Sequence, residues 1–147
     1  MIHLAERIRE LVSKSIEMLL ETAGNQQKML RLLRSEIEEA LIGLHGDRPK
    51  TQRAYERQVN AAHALEGAAE AWTAKAQTAA NHGRHDLARA AVLAREGDRA
   101  KAAAMRRESE GLAEQIKQID AAIAELEAKR VKLSERMAEL PRIESKR

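Results

Sequence analysis

The chain has 147 residues, 33% of them charged and 44% hydrophobic, yet the apolar share is mostly Ala and Leu, with no Phe, one Trp and one Tyr. Without cysteine there is no disulfide and no thiolate metal site. No stretch approaches the roughly 18 apolar residues of a membrane span, and 26 basic and 23 acidic side chains are interspersed, leaving a net charge of only +3. That pattern describes the solvated outside of a coiled coil. It lacks the concentrated basic face and aromatic platforms of a nucleic-acid binder, so no specific nucleic acid is expected as a partner. Ala, Glu, Lys, Leu and Arg dominate, and 7 Gly with 2 Pro leave little room for turns, which is the composition of long helices.

Residues 1–23 read as a separate amphipathic helix. At about 100° per residue, Leu4, Ile8, Leu11, Val12, Ile16 and Leu19 fall in one sector. Glu6, Arg7, Glu10, Lys14, Glu17 and Glu21 take the other side. The apolar sector is wider than a dimer seam, so it needs a broad surface: its own hairpin, a partner subunit or the headgroup region of a bilayer. The segment lacks the continuous apolar block of a secretory signal, and Glu6 and Glu10 argue against an organellar presequence, so the default expectation is a soluble, cytoplasmic protein. Gly24 and Asn25 end this helix and cap the next.

Two arms follow. The first, about residues 26–80, carries Leu33, Ile37, Ala40, Leu44, Tyr55, Ala62, Leu65, Ala69, Trp72, Ala76 and Ala79 in a seven-residue rhythm. Gly43, Gly46 and Pro49 interrupt it. Because Pro inside a helix costs about 3 kcal/mol and one backbone bond, a kink or a short break is expected near Gly46–Pro49. A polar turn spans about residues 81–86, with Asp86 as the expected N-cap of the second arm. That arm, about residues 87–140, carries Leu112, Ile116, Ile119, Ile123, Leu126, Leu133, Met137 and Leu140, with Arg130 in the one missing slot, before Pro141 and a disordered basic tail over 141–147.

A stripe two positions wide in every seven suits a coiled-coil seam and is too narrow for a globular core. The expected fold is therefore all-α: a long antiparallel two-helix coiled-coil hairpin preceded by a short amphipathic helix. Folding about residue 84 pairs positions whose numbers sum to roughly 168, so Leu44 should face Ala124–Leu126 and Trp72 the region Glu96–Ala100. Both sides are Ala-rich near the turn, with Leu and Ile taking over away from it. A seam of two helices buries little area per residue, so self-association into a homo-oligomer is expected to cover more.

Sites for chemistry are weighed and set aside. His82, His85 and Asp86 sit at a turn without a fourth ligand in view, so no metal site is expected. Glu36, Glu38 and Glu39, like Glu108 and Glu110, are surface charge, and no phosphate loop or nucleophile elbow exists. No catalytic residues, no cofactor and no enzymatic activity are expected. Trp72 has two readings, a seam filler among alanines or a partly exposed anchor for a partner.

Two stretches carry a family resemblance. Asn25 to Leu41, NQQKMLRLLRSEIEEAL, is similar to D-P-x-K-x-x-R-x-x-x-x-E-x-E-x-x-L, with Gln26 in place of the usual Pro. WTAKA from Trp72 and GRHDLARAA from Gly83 are similar to W-x-x-K-A followed by R-x-D-L-A-R-x-A. These patterns resemble the phage shock protein A family, which includes the plastid vesicle-inducing protein and belongs with the ESCRT-III-like membrane remodellers. The resemblance implies a bacterial envelope-stress protein, peripheral on the cytoplasmic face of the inner membrane. Such proteins adsorb to anionic lipid through their first helix, polymerise and preserve membrane integrity.

In some bacteria the hairpin also binds and inhibits an AAA+ transcriptional activator, alongside membrane-anchored stress proteins. Carried over, the membrane face is Leu4, Ile8, Leu11, Val12, Ile16 and Leu19. The family-typical turn stretch, taken here as the partner-binding candidates, is Trp72, Lys75, Arg84, Asp86, Leu87 and Arg89. The family usually opens with Gly-Ile-Phe, and Met1-Ile2-His3-Leu4 has no aromatic anchor, so weaker membrane affinity is expected. Its members continue with further helices that lock the polymer, so this chain is expected to be a short or truncated member with reduced autonomous filament formation. Two alternatives stand beside this expectation: a soluble coiled-coil regulator that restrains an AAA+ activator, and a generic coiled-coil scaffold.

Overall fold

The computed structural model describes residues 26–140. They form two helices, α1 from Gln26–Asn81 (56 residues) and α2 from His85–Glu139 (55 residues), with no strand among the described residues. The two pack against each other antiparallel, giving the expected all-α hairpin. The expected first helix over 1–23 and the tail over 141–147 lie outside the described residues.

The turn is shorter than the sequence reading allowed. It occupies only His82, Gly83 and Arg84. Gly83 takes φ 74°, a left-handed conformation that is cheap only without a Cβ. Its N–H donates to the Ala80 carbonyl (3.0 Å), and the Arg84 N–H reaches the Ala79 carbonyl (2.8 Å). This is the Schellman closure of a helix C-terminus, which satisfies carbonyls that α1 would otherwise leave open. The Arg84 carbonyl in turn accepts the first bond of α2, from the Ala88 N–H at 3.0 Å. Arg84, and not Asp86, is therefore the N-cap residue. Asp86 sits inside the first turn, where a carboxylate complements the helix dipole.

Contacts divide the described residues into two units. In the first, residues 26–50 and 115–140, the core is Leu30, Leu33, Ile37, Leu41 and Leu44 against Ile119, Ala122, Leu126 and Leu133, with Ala40, Ile123, Met137 and Leu140 packed on its edge. On α2 the buried Ile119, Leu126 and Leu133 keep the seven-residue rhythm. On α1 the steps run Leu33, Ile37, Leu41, Leu44, so Leu41 takes the slot that the sequence reading gave to Ala40. Two successive four-residue steps restore the pitch of a straight helix, which strict heptads would force to supercoil. Leu44 belongs to the same cluster as Ala122 and Leu126.

In the second unit, Thr51–Glu114, the buried apolar residues are all alanines: Ala62, Ala69, Ala91 and Ala102. Tyr55, Leu65, Trp72, Ala76 and Ala79 are half-buried beside them. Small side chains let helices approach closely, but each contributes little more than the about 0.8 kcal/mol of one buried methyl-sized group. Ser109 is buried at a seam slot and stays satisfied by donating from Oγ to the Arg106 carbonyl at 2.7 Å.

No break occurs at Gly46–Pro49, one of the two outcomes the sequence suggested. α1 runs helical through Pro49. The proline removes only the bond that the His45 carbonyl would accept, and both residues are exposed, so water can take that place.

Ile37 and Leu126 are fully buried, whereas Ile42 is 73% exposed. Ile37→Ala or Leu126→Ala should lower the unfolding free energy by about 2–5 kcal/mol, and Ile42→Ala by no more than about 0.5 kcal/mol. Urea denaturation followed by circular dichroism reads the difference; equal effects at Ile37 and Ile42 would contradict the packing described.

Candidate interaction surfaces

Two ion pairs between the helices fix the register. In the first unit, Arg48 grips Asp120 with both arms of its guanidinium, Nε to Oδ1 at 2.6 Å and a terminal nitrogen to Oδ2 at 3.2 Å. In the second unit, Arg106 holds Glu66 in the same way, at 2.7 and 3.2 Å. Arg48 and Asp120 are equidistant along the chain from Arg84, the fold point expected from the sequence. Glu66 and Arg106 are equidistant from Asp86. The two-nitrogen grip on a carboxylate has a defined geometry, which makes these pairs register markers more than sources of stability. The hydrogen bonds to Arg48 and Arg106 pull the carboxyls of Asp120 and Glu66 below their ordinary values, and both guanidiniums are pushed up in return.

The turn residues proposed from the sequence divide into three groups. Lys75 Nζ lies 4.5 Å from the centroid of the Trp72 ring, a cation–π contact made by two residues three apart on α1. Trp72 itself is half-buried, so it is neither a full seam filler nor a free anchor. Lys75 also lines a shallow groove of 510 Å³ together with Ala74, Thr78, Ala79, His82 and Leu87. Leu87 is 49% exposed there. Arg89 lines a different groove, of 740 Å³, whose other walls include Ala76, Ala80, Ala88, Val92, Leu93 and Arg95. Arg84 and Asp86 pair at 3.7 Å beside the turn. Trp72, Lys75 and Leu87 are thus associated, Arg84 and Asp86 are associated, and Arg89 belongs elsewhere.

His82 has a structural task. Its Nδ1 lies 2.8 Å from the Thr78 carbonyl, which can only accept, so this nitrogen carries the proton and closes the end of α1. Among the described residues no group of three or more His, Asp or Glu side chains is placed to hold a metal ion. No described helix is long and apolar enough to cross a membrane. The membrane-face candidates Leu4, Ile8, Leu11, Val12, Ile16 and Leu19 lie outside the described residues.

Several large apolar side chains remain on the outside: Met29, Leu32, Ile42 and Val131 in the first unit, Leu87 and Leu93 in the second. Leu93, Val92 and Arg95 were missed as surface candidates. The signal was available for Leu93, a leucine out of phase with the seam of its own helix, and its 73% exposure matches that position. Set against known proteins, the chain matches no protein-family model, no curated protein and no solved structure. The likeness of residues 25–41 and 72–91 to the phage shock protein A patterns stands on those residues alone.

A carboxylate that releases its proton more readily when folded stabilises the fold above its ordinary value, and that help vanishes as the pH falls through the lowered one. For Glu66, whose ordinary value is 4.5, the contribution is complete at neutral pH and lost in acid below that value. Glu66→Gln should therefore melt lower than the wild type near neutrality, by on the order of a degree or two for so exposed a pair. The gap should narrow as the pH falls below Glu66's ordinary value and close once its carboxyl is protonated in the folded protein. Melts followed by circular dichroism across this range decide it, and a gap that persists in acid would refute the assignment.

Proposed function

We propose that this chain is an envelope-stress protein of the phage shock protein A type. It adsorbs to the cytoplasmic face of the inner membrane through its leading amphipathic segment, self-associates through its hairpin and helps to maintain membrane integrity. The observation that carries this reading is where the turn falls. The stretch Gly83 to Ala91, which resembles the family's turn motif, begins where the chain reverses, with Gly83 in the left-handed conformation and Arg84 capping α2. Self-association is favoured by the exposed Leu32, Ile42, Leu93 and Val131, which a two-helix seam cannot bury.

Membrane adsorption is favoured by the sequence of residues 1–22. Its one apolar sector faces only Arg7, Arg9 and Lys14 as cationic help, so adsorption depends on apolar area more than on charge. A second reading, a soluble regulator of an AAA+ transcriptional activator, is favoured by the groove that presents Lys75 and Leu87 next to Trp72.

Flotation with vesicles containing anionic lipid tests the first reading. Wild type should rise with the vesicles, and Ile8→Asp should leave the bound fraction about tenfold lower, because one Ile accounts for roughly 1.5–3 kcal/mol of buried area. Equal flotation of the two removes membrane adsorption. ATPase inhibition and pull-down with an activator, lost on Trp72→Ala, would then favour the regulator.

A further inference from the structure

The outward side of α2 in the second unit is self-complementary. With the buried Ala102 taken as the inward direction and about 100° per residue, Leu93, Gly97, Ala100, Ala104 and Gly111 share one sector on the opposite side of the helix. All five are exposed. They recur at alternating steps of four and three, apart from the slot held by Arg107, so the outside of α2 repeats the spacing of its seam. A Cβ built on Gly97 or Gly111 would meet nothing within 4 Å, and Leu93 projects with 73% of its surface in solvent. Small residues permit a close neighbour without naming it.

Charge names it. Arg107, which holds the remaining slot of the stripe, and Glu96 beside it lie toward the same edge, and both are exposed. When two identical helices run antiparallel, each edge meets the same edge of its twin, so oppositely charged residues on one edge pair with each other twice. One register satisfies every position of the stripe. Placing Ala100 beside Ala104 of a second copy also lays Leu93 over Gly111 of that copy. Arg107 then enters the space left by Gly97 of the second copy and meets its Glu96. Bulk falls on a residue with no side chain, and small falls on small. On the other edge Lys101 comes nearly level with Lys101 of the second copy, one like-charge contact set against the two Glu96–Arg107 pairs.

We infer that the outer face of α2 between Leu93 and Gly111 is a homodimer interface, on which two copies of this chain pair antiparallel. This rests on the self-associating part of the proposed function and specifies its surface; it does not depend on lipid. Glu96 already contacts Arg95 at 3.0 Å and Arg99 at 3.5 Å within its own helix. Pairing therefore adds Arg107 of the second copy to an arranged carboxylate.

Sedimentation equilibrium on the full chain tests the pairing. Glu96→Arg and Arg107→Glu should each raise the dimer dissociation constant about tenfold, by setting like charges together twice. The double reversal Glu96→Arg with Arg107→Glu should restore it. Leu93→Glu should weaken the dimer on the order of a hundredfold while leaving vesicle flotation unchanged. Helicity by circular dichroism should be the same in all four variants, since every position is exposed.

Single reversals without recovery in the double variant would overturn the register and the proposal with it. Self-association that none of the variants weakens would overturn this face alone. A wild type that stays monomeric at every concentration would overturn both the face and the self-associating reading. Loss of flotation in Leu93→Glu with self-association intact would make the face a lipid surface and end the pairing.

Discussion

Two helices can hide only one stripe of each other, and nearly everything else about this protein follows from that limit. A helix offers its partner a seam of about two positions in seven, so most side chains stay in solvent however well the seam is packed. The 33% of charged residues meets that condition directly. What the limit cannot accommodate is a large apolar residue outside the stripe. Leu32, Ile42, Leu93 and Val131 are such residues, and among the described residues the partner helix leaves them uncovered.

The two units solve the seam differently. In the first, leucine and isoleucine supply transfer free energy, with Ile37 and Leu126 fully buried. In the second, alanine supplies proximity at the expense of buried area. Polar groups take over part of the specification there, through Glu66 with Arg106 and through Ser109 bonded back to its own helix. Arg48 with Asp120 does the same in the first unit. A run of alanines can slide past another run with little change in energy, whereas a two-nitrogen grip on a carboxylate is lost by a shift of one residue. The ion pairs mark the register that the alanines leave loose.

Much of the fold was legible because seven-residue periodicity is a long-range signal. Ile119, Leu126 and Leu133 fell where the rhythm put them, and a fold point near residue 84 was readable from the arm lengths. The errors lie where the local physics has more than one solution. Asp86 is the better N-cap residue by type, yet the tight closure around Gly83 leaves the capping position to Arg84. Of the kink or short break read at Gly46–Pro49, no break occurs: α1 stays helical, and the one bond that Pro49 removes belongs to the exposed His45 carbonyl, where water can replace it. Leu41 displaced Ala40 because the α1 stripe follows the pitch of a straight helix over that turn. The register read from the sequence already allowed Arg48 to meet Asp120, but among so many interspersed charges the pair was not singled out, and Glu66 with Arg106 lies slightly off that register.

Alanine explains why the surfaces were harder to read than the core. It is common on exposed helix faces for its propensity and common in close-packed seams for its size, so an Ala-rich sequence carries two patterns that a hydropathy trace cannot separate. On α2 the seam alanines Ala91 and Ala102 and the outer alanines Ala100 and Ala104 differ only in phase. Leu93 breaks the ambiguity, because a leucine gains nothing by standing in water and nothing in helix propensity over alanine. Its place on a stripe that also holds Gly97 and Gly111 is hard to explain by helix formation, since each glycine costs a helix about 1 kcal/mol relative to alanine. A feature that weakens the isolated helix is accounted for when something approaches it closely. The charges beside the stripe then favour a twin of the same chain over a surface of uniform sign.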